Sequence, residues 1–223
     1  MSDRRVPLVN GEFYHIYNRG VARQPTFLTQ YDYEQALLAL SYYRFVNPPI
    51  RLSRFKELPT EQRDYIFEKL QKTEKHIEIV SFVFMPNHFH FLLKQTTENG
   101  ISIFLSKFTN SYTKYFNTKR NRVGPMLQGV FKSVHIESDE QLIHVSRYIH
   151  LNPVASVFIK ETELLYYPWS SLPDYLKRKS SLVYMEPVLD HFPSSNEYKN
   201  FVLDRADYAK RLEQIKHLTL EDY

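Results

Sequence analysis

Two histidines separated by one aromatic residue, His88-Phe89-His90, lie within an apolar run of the sequence. Alternate residues of a β-strand project to the same face, so a strand here would present both imidazoles side by side. Imidazoles bind divalent metal ions, and two of them leave room for an oxygen ligand, a water or a substrate phosphate. The spacing therefore indicates a metal site. The alternative is a pair of histidines that are packed or hydrogen-bonded beside a core.

A second segment holds Tyr148 and Asn152, four residues apart. A helix would place them on one side while Leu142 and Ile149 face the core, and Pro153 predicts that the helix ends at Asn152. An unperturbed phenol has a pKa of about 10, so it attacks phosphorus only with help, such as a metal ion on the phosphate. The two segments together suggest phosphoryl transfer through Tyr148. The alternative is a half-buried tyrosine and a helix-capping asparagine.

Composition bounds the protein class. The 223 residues are 43% hydrophobic and include no cysteine, so a sizeable core is expected while disulfides and zinc-thiolate sites are excluded. The N-terminal residues do not resemble a secretion signal, and no apolar run approaches the ~20 residues that a membrane-spanning helix needs. We therefore expect a cytoplasmic protein without a membrane partner.

The net charge is only +4, but its distribution is uneven. Residues 101–135 contain no Asp or Glu, and aromatic residues run between their six basic ones: Lys107, Lys114, Lys119, Arg120, Arg122 and Lys132. Basic residues interleaved with aromatic ones suit a nucleic acid with stackable bases. We add two candidate DNA contacts: Arg19, in the predicted turn after the first strand, and Arg147, which directly precedes Tyr148. The alternative is a solvated helix face above a core stripe.

The hydrophobic patterns predict an α+β fold. Strands are expected near residues 13–17, 77–84, 88–94 and 131–137, and helices after Asp32, over 101–117, after Ser138 and after Ser194. This order matches a ferredoxin-like βαββαβ antiparallel sheet with helices on one face, its first and third strands central. Residues 51–75 form a charged insertion with a short helix after Pro59. His15, on the neighbouring central strand, could line the site; the alternative, which we favour, is a packed or hydrogen-bonded histidine.

Four motifs resemble a known family, and the similarity runs from about Phe13 to Trp169. The chain resembles the single-tyrosine HUH transposases (His, hydrophobic, His), which are IS200-like, and most closely the branch associated with repetitive extragenic palindromes. The motifs are Tyr14-His15-Ile16-Tyr17-Asn18-Arg19-Gly20, Met85-Pro86-Asn87-His88-Phe89-His90, Gln128-Gly129-Val130-Phe131-Lys132 and Arg147-Tyr148-Ile149-His150-Leu151-Asn152-Pro153-Val154.

The resemblance implies a role for each matching residue. His88, His90 and Asn152 would bind Mg²⁺ or Mn²⁺, and Tyr148 would be the nucleophile. The implied substrate is single-stranded DNA beside an imperfect hairpin, cut to leave a 5′-phosphotyrosine and a free 3′-hydroxyl. The transposase domain would span residues 1–158 and a C-terminal extension residues 159–223, in a monomer or homodimer.

Two other functions remain open at the level of sequence. A domesticated protein could keep the fold and bind DNA hairpins without cutting them. A metal-dependent phosphohydrolase could use water and form no covalent intermediate; it would tolerate the loss of the Tyr148 hydroxyl.

Overall fold

The structure, a computed structural model, describes residues 7–204. Its strands form one antiparallel sheet in the order β2-β3-β1-β4: β1 Phe13–Arg19, β2 Ile77–Met85, β3 His88–Gln95 and β4 Lys132–Ile136. Its helices are α1 Gln30–Tyr43, α2 Leu52–Glu57, α3 Thr60–Leu70, α4 Gly100–Lys119, α5 Asp139–Ala155, α6 Leu172–Lys177, α7 Glu186–Leu189 and α8 Ser195–Leu203. Two short 3₁₀ helices cover Val21–Arg23 and Glu161–Tyr166. The predicted ferredoxin-like α+β arrangement is confirmed, with β1 and β3 as the central pair.

The β2–β3 hairpin supplies the middle of the core. Met85 pairs with His88, so Pro86 and Asn87 form the whole connection between the strands. Both strands are buried along nearly their full length, as the continuous apolar runs predicted. The outer edge of β2 is covered by later chain, since the backbone N–H of Phe84 donates to the carbonyl oxygen of Trp169.

Helices α1 and α4 pack together on one face of the sheet. Rings of α4 at Phe104 and Phe108 lie against Phe91 of β3. The predicted start of α1 was wrong: Thr29 is the N-cap, and Asp32 is the third helical residue of a reciprocal capping box. A Thr and an Asp three residues apart satisfy each other's backbone N–H groups, which outweighs a cap built from Asp32 and Gln35.

Helix α5 lies on the opposite face of the sheet, against β2 and β3. It begins after Ser138, whose Oγ accepts a hydrogen bond from the N–H of Gln141, as predicted. The predicted end at Asn152 was wrong, because Pro153 lies inside the helix, which continues to Ala155. Proline removes one N–H, but the N–H of Ser156 still donates to the carbonyl oxygen of Asn152, so the last turn closes.

Two regions extend this core. The charged insertion over 51–75 contains α2 as well as the predicted helix after Pro59, here α3. At the other end α8 packs on α5 and α6, α7 packs on α5, and Ser194 caps α8 as predicted. The domain boundary at 158/159 stays a prediction, and its outer parts, 1–6 and 205–223, lie outside the described residues. Within 7–204, no helix is both long and apolar enough to cross a membrane.

Candidate active site

Strand β3 carries both histidines of the motif on the side of the sheet that α5 covers. The ring centroids of His88 and His90 lie 5.1 Å apart, and both side chains are buried. Between them, Phe89 points to the other side, where its ring contacts Phe108 of α4. The alternation predicted from the sequence is confirmed. It holds two imidazoles next to each other on a central strand, which is a rigid support.

His88 faces the amide of Asn152. The Nδ2 of Asn87 donates to the carbonyl oxygen of Arg23, which turns Asn87 Oδ1 toward His88 Nδ1 at 2.6 Å. Because that oxygen only accepts, Nδ1 carries the proton and Nε2 of the neutral imidazole presents its lone pair. Nε2 lies 3.3 Å from Asn152 Oδ1, which also accepts a hydrogen bond from Ser156. Two acceptor atoms that face each other in this way are suited to share a cation.

His90 is oriented by a third histidine. Nε2 of His15 lies 3.0 Å from Nδ1 of His90, and the two rings stack at a centroid distance of 5.1 Å. When His90 donates its Nδ1 proton to His15, its Nε2 keeps a lone pair for a ligand. Metal-binding imidazoles commonly have such an acceptor behind them. His15 is hydrogen-bonded, as we favoured, but its partner is the motif itself, so His15 also lines the candidate site.

Tyr148 lies against this cluster. Its ring meets His90 and His15 edge-on, at centroid distances of 5.3 Å and 5.9 Å. The phenol is buried, with 5% of the residue exposed. Helix α5 therefore brings Tyr148 and Asn152 to the same side of the sheet as the two histidines, as the helical spacing predicted. What each residue does there is a separate question.

The far side of α5 is anchored by a buried polar network. His150 exchanges hydrogen bonds with the hydroxyls of Tyr198 and Ser171, each at 2.7 Å, and Ser146 bonds Ser81 of β2 at 2.8 Å. Burial lowers the pKa of His150 to about 3, so this imidazole is neutral near pH 7. Because Ser171 and Tyr198 belong to the C-terminal extension, that extension fixes the helix that carries Tyr148.

The donor atoms fit a divalent cation. Two imidazoles and one amide oxygen leave positions for water and for phosphate oxygen, which Mg²⁺ and Mn²⁺ favour. Among residues 7–204 there is no group of three or more His, Cys, Asp and Glu side chains arranged to hold a metal. The amide oxygen of Asn152, 3.3 Å from Nε2 of His88, is placed to add a third donor to His88 and His90.

Comparison with known proteins gives the family. The sequence model of the family described as "Transposase IS200 like" matches residues 38–152, just over half of the chain. The chain belongs to the IS200-like transposase family. No curated protein matches it. A solved structure described as a REP-associated tyrosine transposase bound to a REP hairpin is similar, with a TM-score of 0.53 and 17% sequence identity over 82% of this chain and 90% of that one. At that identity the likeness shows a shared fold.

The matched range of this IS200-like transposase contains the candidate ligands and the tyrosine, and its last residue is Asn152. The predicted family is thereby confirmed. The roles of His88, His90, Asn152 and Tyr148 stay predictions.

Two of the predicted DNA contacts of the transposase lie on the side of the sheet that carries His88 and His90. His90 pairs with Tyr17 on β1, and Tyr17 pairs with Lys132 on β4, so the three side chains form one row across the sheet. Lys132 Nζ sits 5.7 Å from the centre of the Tyr17 ring. Two residues further along β1, Arg19 pairs with His88, so its side chain projects to the same face as Tyr17. Both cations are therefore near the histidine pair.

Other predicted contacts gather around α4. Lys107 and Lys114 lie on its outer side, while Lys119 and Arg120 bind the buried carboxylate of Asp32. Burial raises the pKa of Asp32, but hydrogen bonds from Arg120 and other donors outweigh this and hold the pKa well below its usual range. Asp32 thus ties the start of α1 to the end of α4. The guanidinium of Arg122 stacks 5.5 Å from the Phe116 ring.

Arg147 differs from the rest because it is fully buried. Its guanidinium contacts the Phe201 ring of α8 at 4.6 Å and donates to the carbonyl oxygen of Asp204. We therefore leave Arg147 out of the proposed DNA contacts. Sequence reasoning also missed Arg51 and Lys56, which lie beside α4. Their signal was present, since residues 51–56 contain three basic residues and no acidic one.

Proposed function

We propose that this IS200-like transposase cuts and rejoins single-stranded DNA next to a hairpin, with Tyr148 as the nucleophile. The observation that carries the proposal is the position of the Tyr148 ring, edge-on to His90 and on the same side of the sheet as the facing pair His88 and Asn152. A phenol beside a cation site is the arrangement that attack on a phosphodiester requires.

His88, His90 and Asn152 would hold Mg²⁺ or Mn²⁺ through Nε2, Nε2 and Oδ1. When bound, the ion supplies charge withdrawal from a nonbridging phosphate oxygen and orientation of the phosphate. The chain orients the ligands beforehand: Asn87 sets the tautomer of His88, and His15 is hydrogen-bonded to Nδ1 of His90. Such fixed partners lower the reorganisation needed when substrate binds.

The proposed chemistry is a direct exchange of ester bonds. The oxygen of Tyr148 forms a bond to phosphorus while the bond from phosphorus to the 3′-oxygen of the preceding nucleotide breaks. A water or nearby base takes the phenolic proton and passes it to the departing oxygen, which leaves as a 3′-hydroxyl, and the downstream strand stays attached as a 5′-phosphotyrosine. A later attack on this ester by another 3′-hydroxyl rejoins DNA and releases Tyr148, so no nucleotide cofactor is consumed.

The proposed partner is a DNA hairpin with a single-stranded flank. The similar solved structure is described as bound to a REP hairpin, which supports this class of substrate. Arg19 and Lys132 flank the histidine pair, where their charges suit the phosphates next to the cleaved bond. Base recognition would come from groups beyond these two cations, since phosphate contacts position a strand without reading it.

The test is covalent capture. Purified protein is incubated with labelled hairpin DNA and Mn²⁺ or Mg²⁺, and products are separated on a denaturing gel. We expect a DNA–protein adduct with the natural sequence and none with Tyr148→Phe. Tyr166→Phe serves as the matched control, because that phenol is 79% exposed and outside the site.

The same gel separates the alternatives. An adduct with Tyr148→Phe would overturn the proposed nucleophile. Cleavage without any adduct would instead identify hydrolysis by water. Binding with neither cleavage nor adduct, on hairpins taken from the flanks of the gene, would identify a recognition protein.

A further inference from the structure

The charged insertion and α4 together enclose a basic groove. It lies between α1, α2 and α4, on the side of the sheet opposite Tyr148, and has a volume of about 680 Å³. Five of its lining residues are basic: Arg51, Lys56, Lys107, Lys114 and Lys119. Among the described residues that line it there is no Asp or Glu.

Four of these cations have no carboxylate partner within residues 7–204. Lys119 binds Asp32, but Arg51, Lys56, Lys107 and Lys114 form no ion pair with an acidic residue in the described range 7–204. Burial lowers the pKa of Lys56, so this ammonium is partly removed from water. Removing a cation from water without pairing it with a carboxylate costs free energy. A phosphate that binds beside the cation would offset this cost.

The groove also offers aromatic surface. Tyr43 of α1 and Tyr115 of α4 line it and are half-buried. Lys56 Nζ lies 5.4 Å from the centre of the Tyr115 ring, so the cation and the ring occupy one part of the groove. Basic side chains along a groove combined with accessible rings are typical of surfaces that bind single strands, with phosphates on the cations and bases on the rings. Duplex DNA keeps its bases stacked inside and has less use for such rings.

The connection to the catalytic side also carries charge. Residues 120–131 lead from the end of α4 to β4, and they contain Arg120 and Arg122 and no acidic residue. Lys132 follows at the start of β4, in the row of His90. Arg120 is bound to Asp32, so Arg122 and Lys132 are the basic residues of this connection that are available to DNA between the groove and the candidate active site.

We propose that this groove binds the single-stranded DNA flank of the hairpin substrate. The insertion supplies Arg51 and Lys56 to one wall and α4 supplies Lys107 and Lys114 to the other. The inference rests on the proposed function for the identity of the DNA. It adds a second contact region, remote from the cleaved bond, which the insertion creates.

The experiment measures affinity separately from chemistry. Fluorescence anisotropy is recorded with Tyr148→Phe protein over a range of salt concentrations, using a hairpin with long single-stranded flanks and the same hairpin without flanks. The groove variant is Lys107→Gln/Lys114→Gln. The control is Lys69→Gln/Lys72→Gln, which removes two exposed lysines of the same insertion that do not line the groove.

We expect the groove variant to bind the flanked hairpin more weakly, with a salt dependence less steep by about 0.7 per lost phosphate contact, roughly 1.4 for the pair. Lys56→Gln should lower the slope by about half as much. The flankless hairpin should bind equally to groove and control variants. Circular dichroism and thermal unfolding confirm that each variant is folded.

Two results would overturn the proposal. One is a groove variant that binds the flanked hairpin like the control. The other is an equal loss for flanked and flankless hairpins, which would place the duplex stem in the groove or indicate a general effect of charge. Adduct formation by the protein with Tyr148 intact is scored in a separate gel, so failure of the groove and failure of the tyrosine chemistry are distinguishable.

Discussion

The two faces of β3 come from one alternating sequence and differ in almost every physical respect. On the α4 side, Phe89 and Phe91 stack at 4.4 Å and join a cluster of aromatic rings. On the α5 side, His88 and His90 are also buried, but they are hydrogen-bonded to Asn87 and His15, and His88 faces the amide oxygen of Asn152. Here one face stabilises the strand, and the other can then carry polar groups that a core would not tolerate without partners.

The largest expected effect on stability comes from the aromatic face. Phe89→Ala removes a fully buried ring that contacts Phe91 and Phe108, so the free energy of unfolding should fall by about 3–5 kcal/mol. Urea unfolding measures this. Phe158→Ala, at a ring that is 46% exposed, should cost far less. A loss at Phe89 no greater than at Phe158 would contradict the assignment of this face to the core.

On the polar face of β3, substitutions should affect metal binding and adduct formation. His90→Gln removes a proposed metal ligand, so we expect adduct formation to slow by at least about a hundredfold, which corresponds to roughly 3 kcal/mol of the activation barrier. Calorimetric titration with Mn²⁺ should show the same loss without DNA. His191→Gln, at a partly exposed histidine after α7, should change neither. Normal Mn²⁺ binding by His90→Gln would sink the ligand assignment.

A smaller effect on metal affinity is expected at His15, the hydrogen-bond partner of the proposed ligand His90. His15→Phe keeps a ring but removes the acceptor for Nδ1 of His90, so the affinity for Mn²⁺ should fall by about 10–100-fold. His15→Gln retains an acceptor and should recover part of that loss. Calorimetry without DNA reads out the metal directly. Equal affinities for all three proteins would show that His15 only packs.

The smallest effect is expected on DNA binding at Lys132, an exposed residue beside the proposed active site. Lys132→Gln should weaken DNA binding slightly and reduce the salt dependence by about 0.7, the value of one phosphate contact on a single strand. Lys177→Gln, an exposed lysine on α6, is the matched control. An unchanged slope for Lys132→Gln would remove this lysine from the proposed phosphate contacts.

Much of this architecture was predictable because local patterns decide it. Because side chains alternate along a strand, Phe89 faces the core while His88 and His90 face the other side of the sheet. The apolar spacing of α4 likewise places its rings against the sheet. The position of Tyr148 relative to Asn152 followed from helical spacing alone. These features depend on neighbours within one element, and one sequence contains that information.

The failures have different physical causes. At α1, Thr29 and Asp32 both favour caps, and only the reciprocal bonds of the pair decide between them. At α5, Pro153 removes one N–H, yet the turn closes around it. The burial of Arg147 and the groove beside Lys56 depend on how the C-terminal extension and the insertion pack on distant helices. No local pattern encodes those contacts.

The measurement that tests the central claim most directly is mass mapping of the DNA-linked peptide. The adduct formed with Mn²⁺ is digested with protease and nuclease, and the modified residue is identified by fragmentation. Tyr17 is the informative competitor, because its ring lies on the same side and stacks at 5.7 Å on His90. We predict a 5′-phosphodeoxynucleotide on Tyr148. A nucleotide on Tyr17, or cut DNA with no modified tyrosine, would contradict the account.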